Sequence, residues 1–203
     1  MSDLSQHWTA RYSDNDHTTL SWWTPHLQTS FRLLLEYAPS RHSLLDVGAG
    51  ASTLAADAVA AGWTDVTILD IARPALEIAR DAVGDAPITL IEADIRTWEP
   101  KRHFDTWHDR ATFHFLTDDR DIARYASLVR RALTPGGSFI LGTFAPDGPE
   151  MCSGLPVRRW RPDDVNETFA AVGPLVHHET EDHITPLGVV QSFNWFVIRR
   201  DQD

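Results

Sequence analysis

A single cysteine, Cys152, stands among 203 residues. That excludes an internal disulfide and any metal site built from several cysteines, and it fits a reducing compartment such as the cytoplasm. No stretch stays apolar for the length a membrane crossing needs; "SFILGTFA" is only strand-sized. The opening "MSDLSQHWTARYSDND" contains no apolar core of a signal peptide, so a cytoplasmic chain without a membrane partner is expected. Positive charge is scarce: 18 Lys and Arg face 29 Asp and Glu, a net charge of -11. Such a balance argues against a protein whose main work is gripping phosphate backbones, so nucleic acid is not an expected partner. Repeats and low-complexity tracts are absent as well. What remains is ordinary for a globular chain, with 42% hydrophobic and 23% charged residues, and it is long enough for one domain with a sizeable core. Tryptophan is the excess, at eight residues. Trp8, Trp22, Trp23 and Trp107 fall in segments expected to face a pocket.

The first forty residues read as helical pieces. "SWWTPHLQTSFRLLLEYAP" carries Leu27, Phe31, Leu34 and Leu35 at helical spacing, and Pro39 stops it. "SLLDV", "GAGAS" and "TLAADAVAAG" then read as strand, glycine turn and helix. The unit recurs as "DVTILD" and "RPALEIARDAVG", with Pro74 near a helix start and Gly84 past its end. "ITLIEAD" and "FDTWHD" are third and fourth strands. "DDRDIARYASLVRRAL" is an amphipathic helix with acids first and arginines last, as the helix dipole prefers. "PGG" reads as a turn into "SFILGTF", and a helix is expected from about "PDDVNETFAAVG". Two closing runs, "PLVHHETED" and "VVQSFNWFVIRR", make a hairpin through "ITPLG". Strands alternating with helices predict an α/β fold with a parallel sheet covered on both faces and one antiparallel strand. No domain boundary is visible, so residues 1–203 are expected to form a single domain.

"DVGAG", Asp46 to Gly50, stands where the first strand becomes a helix. Glycines there let a ligand approach the backbone, and the helix N-terminus adds partial positive charge. A dinucleotide fingerprint wants G-x-G-x-x-G, but the third position is Thr53. Asp46 is a poor neighbour for a pyrophosphate and suits a ligand that is positive at that point. Asp70 ends the second strand, where a carboxylate can accept both hydroxyls of a ribose, and Asp94 ends the third. Each acid alone also reads as a helix cap. Together, with no basic phosphate clamp, they describe a cationic nucleoside, of which S-adenosylmethionine (SAM) is one.

"LLDVGAGAS", "VTILDIA", "EADI", "FDTWHDRATFHFL" and "LTPGGSFILGTF" stand in the order found in class I SAM-dependent methyltransferases, which the chain resembles over roughly residues 40 to 145. "DRATF" is similar to the fourth motif of thiopurine-methyltransferase-like enzymes. "WHDRATFHFL" with "TFAPDGPEMCSGLPV" resembles a group of bacterial methyltransferases of unassigned substrate. The resemblance implies a Rossmann-like three-layer α/β/α sandwich with seven strands in the order 3-2-1-4-5-7-6 and strand 7 antiparallel. It implies that Asp46, Gly48 and Gly50, with Ala49 and Ser52 of the same turn, line the methionine end of SAM. Asp70 would hold the ribose, Ile71 would pack on the adenine, and Asp94 and the Ile95 amide would bond its edge. Asp109, ending the fourth strand, would border the sulfonium and the acceptor.

Further residues bear on the acceptor. Arg110 either points toward it or pairs locally with an acid. His108 alternates onto the other face of its strand and reads as a packed core histidine. His114, one helical turn past Arg110, is a candidate base or orienting residue, which makes Asp109, Arg110 and His114 the candidate catalytic set. Residues 1–39 are expected to form a helical lid, in which Trp22 and Trp23 either stack on substrate or fix the segment to the core. Cys152 lies in a loop that faces substrate in this fold, and reads either as a buried inert thiol or as a nucleophile. Arg158, Arg159 and Arg161 are either solvated or an anion site. His177 and His178 fall on opposite strand faces, so no metal site is expected. The function expected is methyl transfer from SAM, leaving S-adenosylhomocysteine (SAH), to a small molecule with a sulfur, nitrogen or similar nucleophile, by a monomer or homodimer. Protein lysine methylation is the alternative. A NAD-dependent oxidoreductase, or a SAM-binding module without catalysis, stands further off.

Overall fold

The computed structural model describes residues 3–202. Helices α1 (Asp3–Ser13) and α2 (Gln28–Tyr37) precede an alternation of β1 (Ser43–Val47), α3 (Leu54–Ala60), β2 (Asp65–Asp70), α4 (Arg73–Val83) and β3 (Thr89–Glu92). Then follow β4 (Phe104–Arg110), α5 (Asp119–Ala132), β5 (Leu133–Phe144), the short strands β6 (Met151–Cys152) and β7 (Leu155–Pro156), α6 (Pro162–Thr168), β8 (Leu175–Ile184) and β9 (Val190–Arg199).

Seven strands form one sheet in the order β3-β2-β1-β4-β5-β9-β8. Its first five strands pair in parallel, and β9 runs antiparallel to both β5 and β8. This is the expected arrangement, with one difference of detail. The hairpin β6–β7 stands apart as its own two-stranded sheet and shifts the numbers of the last two strands. Central strands read as continuous apolar runs because both faces are covered. One face packs Leu33 and Leu34 of α2, Leu54 and Ala58 of α3, and Leu76 of α4 against Leu44, Ile68 and Ile140. The other packs Ile122, Tyr125 and Val129 of α5 and Val165 of α6 against Leu45, Trp107 and Phe139. The result is a Rossmann-like α/β/α sandwich.

Local chemistry sets the boundaries. Pro74 sits in the first turn of α4, and Gly84, at φ +74°, ends it. Asp118 caps α5, its carboxylate accepting the Arg120 N–H at 2.8 Å. "PGG" is a bulge rather than the expected turn. The pairing jumps from Phe104↔Leu133 to Thr106↔Ser138, so β5 begins well before "SFILGTF". Gly136 is at φ +74° there, and its N–H bonds the Arg200 carbonyl at 3.1 Å. Among the described residues, no helix is long and apolar enough to cross a membrane.

Candidate active site

β1 and β4 are neighbours whose chain connections leave in opposite directions, which opens a crevice at their C-terminal ends. A cavity of about 440 Å³ lies there, within the range of roughly 300–1,000 Å³ typical of small-molecule sites. Its floor is the turn after β1. Gly48 and Gly50 take φ of +63° and +57°, a conformation that side chains resist. The Gly48 N–H reaches the Leu69 carbonyl at 2.7 Å and ties the turn to β2.

Asp70 holds the other end of that turn. Its carboxylate accepts the Gly50 N–H at 2.9 Å and the Ala72 N–H at 2.8 Å. Burial raises its pKa to about 6, against the pull of these N–H groups. Asp46 is buried, with one oxygen 2.7 Å from His108 Nδ1 and the other, Oδ2, without a partner. Because Asp46 and His108 are in register on β1 and β4, their side chains share a face. Asp94 forms an ion pair with Arg96 at 2.5 Å. Burial works to raise its pKa, but the bonds from Arg96 prevail and hold it below the usual range.

The cavity brings together most of the residues singled out from sequence. Asp46, Gly48, Ala49, Gly50, Ser52, Asp70, Ile71, Asp94 and Ile95 line it, as do Trp22, Trp23, Arg110 and Cys152. His108 is buried but lies on the cavity face of β4 with Arg110, not on the other face as expected. Its ring stacks on Trp195 at 6.1 Å while it also borders the cavity beside Asp46. Burial pushes the Cys152 thiol up to about 12, against the pull of Arg110 and Arg11, so at neutral pH it is the weakly nucleophilic thiol. Arg158 and Arg159 are engaged by Asp119 and Glu150 outside the cavity. Among the described residues, no group of three or more His, Cys, Asp or Glu side chains is arranged to hold a metal ion.

Two candidates for the catalytic set need correction. Asp109 lies on the opposite face of β4 from Arg110 and does not line the cavity. It is fully buried, and one oxygen accepts the N–H groups of Thr112 and Phe113 at 3.0 and 3.2 Å while the other accepts from the Tyr125 hydroxyl. It therefore shapes the turn after β4 instead of meeting a ligand. His114 is in a 3-10 turn, Phe113–Phe115, not an α-helix, so it does not follow Arg110 around one helical face. Its ring is wedged 4.6 Å from that of Phe144 and 4.5 Å from that of Phe115, with neither nitrogen partnered. Burial, helped by the Arg110 charge, lowers its pKa to about 3. It is a neutral core imidazole, not a base within reach of the cavity.

Of the cover contributed by α1, the sequence reading placed Trp8 in a pocket-facing segment and missed Tyr12. Trp8 and Tyr12 line the cavity, Trp8 lying edge-on to Trp22 at 5.7 Å and to Phe115 at 5.1 Å. The Trp22 indole N–H reaches the Tyr12 hydroxyl at 3.2 Å. Trp8 and Tyr12 are four residues apart in α1, which puts both on one helix face and was the available signal for Tyr12.

Residues 44–137 match the model of a methyltransferase domain. Uncharacterized methyltransferases of Mycobacterium tuberculosis (strain H37Rv) and Mycobacterium bovis are 38% identical over 114 residues, 55% of this chain and 54% of theirs. The chain thus spans about half the length of the curated relatives it matches. A protein solved in work on the conversion of a disulfide bond into a thioacetal group during echinomycin biosynthesis is 20% identical with a TM-score of 0.76, covering 98% of this chain and 94% of that one. The N-methyltransferase NodS from Bradyrhizobium japonicum, in complex with SAH, is 15% identical with a TM-score of 0.73 over 98% and 99%. At such identities these two likenesses establish the methyltransferase fold.

Proposed function

We propose that the protein is a SAM-dependent methyltransferase acting on a small-molecule nucleophile through sulfur or nitrogen. The observation that carries this reading is the buried, unpartnered Oδ2 of Asp46 beside a glycine turn that ends on Asp70. An orphaned carboxylate oxygen is costly without a partner, and the ammonium of SAM would supply one. The residues fit the rest of that cofactor. The Asp70 carboxylate accepts the Gly50 and Ala72 N–H groups on different oxygens and keeps acceptor capacity for ribose hydroxyls. Ile71 and Ile95 offer apolar contact for a purine. Bound there, SAM would supply an electrophilic methyl group and leave as SAH. The pyrophosphate of NAD would instead meet Asp46, so the oxidoreductase reading is not favoured.

What the chain contributes is alignment and exclusion of water. Holding two reactants in line is worth roughly 7–11 kcal/mol in well-oriented systems. Trp8, Trp22 and Tyr12 cover the cavity and shield it, in keeping with residues 1–39 as a lid on a single domain spanning residues 1–203. With His114 neutral in the core and Cys152 protonated, neither serves as base. An acceptor that brings its own lone pair, a thiolate or a free amine, suits this cavity. Kinship with the thiopurine-methyltransferase-like enzymes, a cytoplasmic location and a monomeric or homodimeric state belong to the same proposal.

The test uses SAM with a labelled methyl group and a cell extract split by size. Label in the small-molecule fraction supports the reading; label only on macromolecules replaces it with protein methylation. Asp70→Asn isolates the cofactor half. Losing charge-assisted acceptors worth about 1.5–3 kcal/mol each, the variant should bind SAH on the order of 100-fold more weakly by calorimetry. In the parent, SAH affinity should fall as the pH drops through about 6, where Asp70 takes up its proton and loses an acceptor. In Asp70→Asn that pH dependence should be gone.

A further inference from the structure

Arg110 is a half-buried cation in an acidic protein, and nothing in the methyl-transfer reading so far uses it. Other arginines of the chain have carboxylates: Arg32, Arg73, Arg96, Arg102, Arg124 and Arg131 each form an ion pair. Among the described residues, no carboxylate comes within ion-pair distance of Arg110. Its guanidinium has five N–H donors and makes one hydrogen bond, from Nη1 to the Trp22 carbonyl at 3.0 Å. It lies over the Phe193 ring, 5.3 Å from its centre. Glu181 gives the largest favourable charge interaction with Arg110 but stays beyond ion-pair distance, its Oε2 accepting the Trp195 indole N–H at 2.5 Å.

Taking a charge out of water costs several kcal/mol unless it is paired. Natural sites carry that cost where a ligand completes the pair. Gly142 makes room for the Trp195 ring beside Arg110. It is paired with Arg110 across β4–β5, and a Cβ there would meet the Trp195 ring at 2.7 Å. Arg110 also lines a second, smaller cavity of about 230 Å³ with Trp195, His183 and Glu181, so it stands at a junction reached from both sides. Arg11, whose guanidinium bonds the Ser153 carbonyl at 3.0 Å, adds positive charge on the far side of Cys152. Planar, forked donors match a carboxylate in two parallel bonds, and Trp22, Trp23 and Phe193 offer flat apolar walls beside them.

We infer that Arg110 is a substrate-binding residue that holds a carboxylate on the methyl acceptor, which is therefore a flat, apolar organic acid. This rests on the methyl-transfer reading. The same chemistry could be supplied by the α-carboxylate of the cofactor itself, and the position of Arg110 at the junction with the second cavity, over the Phe193 ring of β9, favours the acceptor.

The experiment titrates SAH-loaded protein with benzoate and indole-3-carboxylate, and with the corresponding neutral amides, by calorimetry. It compares the parent with Arg110→Gln and Arg110→Lys, all three first checked for equal melting temperature within a few degrees. The expected result is saturable binding of the acids to the parent in preference to the amides. That binding should fall at least tenfold in Arg110→Gln and be partly kept in Arg110→Lys, with SAH affinity unchanged within about threefold. Acids that bind no better than amides, or equally well to Arg110→Gln, overturn the inference. So does a tenfold loss of SAH affinity in Arg110→Gln with 5′-methylthioadenosine, which lacks the carboxylate, unaffected; that result assigns Arg110 to the cofactor. A parent protein that fails to bind SAH at all overturns the methyl-transfer reading instead, and is distinguished at the first titration.

Discussion

Replacing Gly48 by alanine is expected to abolish SAH binding and to lower the melting temperature by roughly 4–20 °C, at about 2–4 °C per kcal/mol for a chain of this size. Adding Thr112→Gly is expected to restore most of the stability. At φ +63° an alanine costs about 1–2 kcal/mol in backbone strain alone. Its Cβ would also stand 1.6 Å from Thr112 Oγ1 and 2.8 Å from Thr112 Cβ. Thr112 cannot yield easily, because its N–H is held by Asp109 at 3.0 Å and its hydroxyl lies 3.4 Å from the Val47 carbonyl. Overpacking of this kind costs about 1–3 kcal/mol more. The double variant removes every Thr112 atom that the new methyl would meet and leaves only the backbone strain. Scanning calorimetry and SAH titration of the three proteins check this, and a Gly48→Ala protein that binds SAH within twofold of the parent would refute it.

His114→Leu is the second large effect, and it depends on pH. The histidine has a pKa of about 3 in the folded chain and about 6.5 when unfolded. The unfolded chain therefore takes up a proton that the folded one refuses, between pH 6.5 and 3. Stability from this residue is complete above pH 6.5 and falls by about 1.4 kcal/mol per unit below it. Leucine has no such proton. Near pH 7.5 the two proteins should differ little, because loss of the ring contacts to Phe115 and Phe144 is offset by removing two unpartnered polar atoms. By pH 5 the variant should be ahead by about 2 kcal/mol. Asp70 and Asp109 act in the opposite direction: with folded pKa values raised to about 6, they favour the folded state as pH falls from there toward 4. The parent's own pH curve thus mixes opposed contributions, and the difference between the two proteins isolates the histidine. Denaturant melts at both pH values measure it; a difference that does not change with pH would put His114 in contact with water or a charge.

What the sequence made legible follows the range over which each feature is determined. The turn from Asp46 to Gly50 and the acids Asp70 and Asp94 are set by strand, glycine and helix within a few residues, so their place at the strand ends could be read directly. The alternation and the closing hairpin gave a parallel sheet with one antiparallel strand, and the strand order came from the resemblance to class I methyltransferases. Asp109 and His114 were misplaced because their orientation depends on elements far away in the chain. β4 alternates, and pairing with β1 puts His108 and Arg110 toward the cavity, leaving Asp109 to the Tyr125 hydroxyl. The Asp109 carboxylate then pulls Thr112 and Phe113 into a tight turn, which carries His114 into the core. The bulge at "PGG" was hidden for a related reason: proline and two glycines signal a turn locally, and only pairing with β4 shows the strand continuing through them.

The position of β9 has a consequence for how the molecule is made. The strand that lies between β5 and β8 is synthesised after both of them. Until Val190–Arg199 has left the ribosome, β5 presents an open row of N–H and C=O groups along an edge that is otherwise sealed. Trp195, whose ring lies against His108, and Phe193, which lies under Arg110, arrive with that same strand. At about 5–20 residues per second, the chain spends seconds with its glycine turn already translated and one wall of its cavity still missing. A ligand that needs Arg110 seated on Phe193 can therefore bind only after β9 has paired.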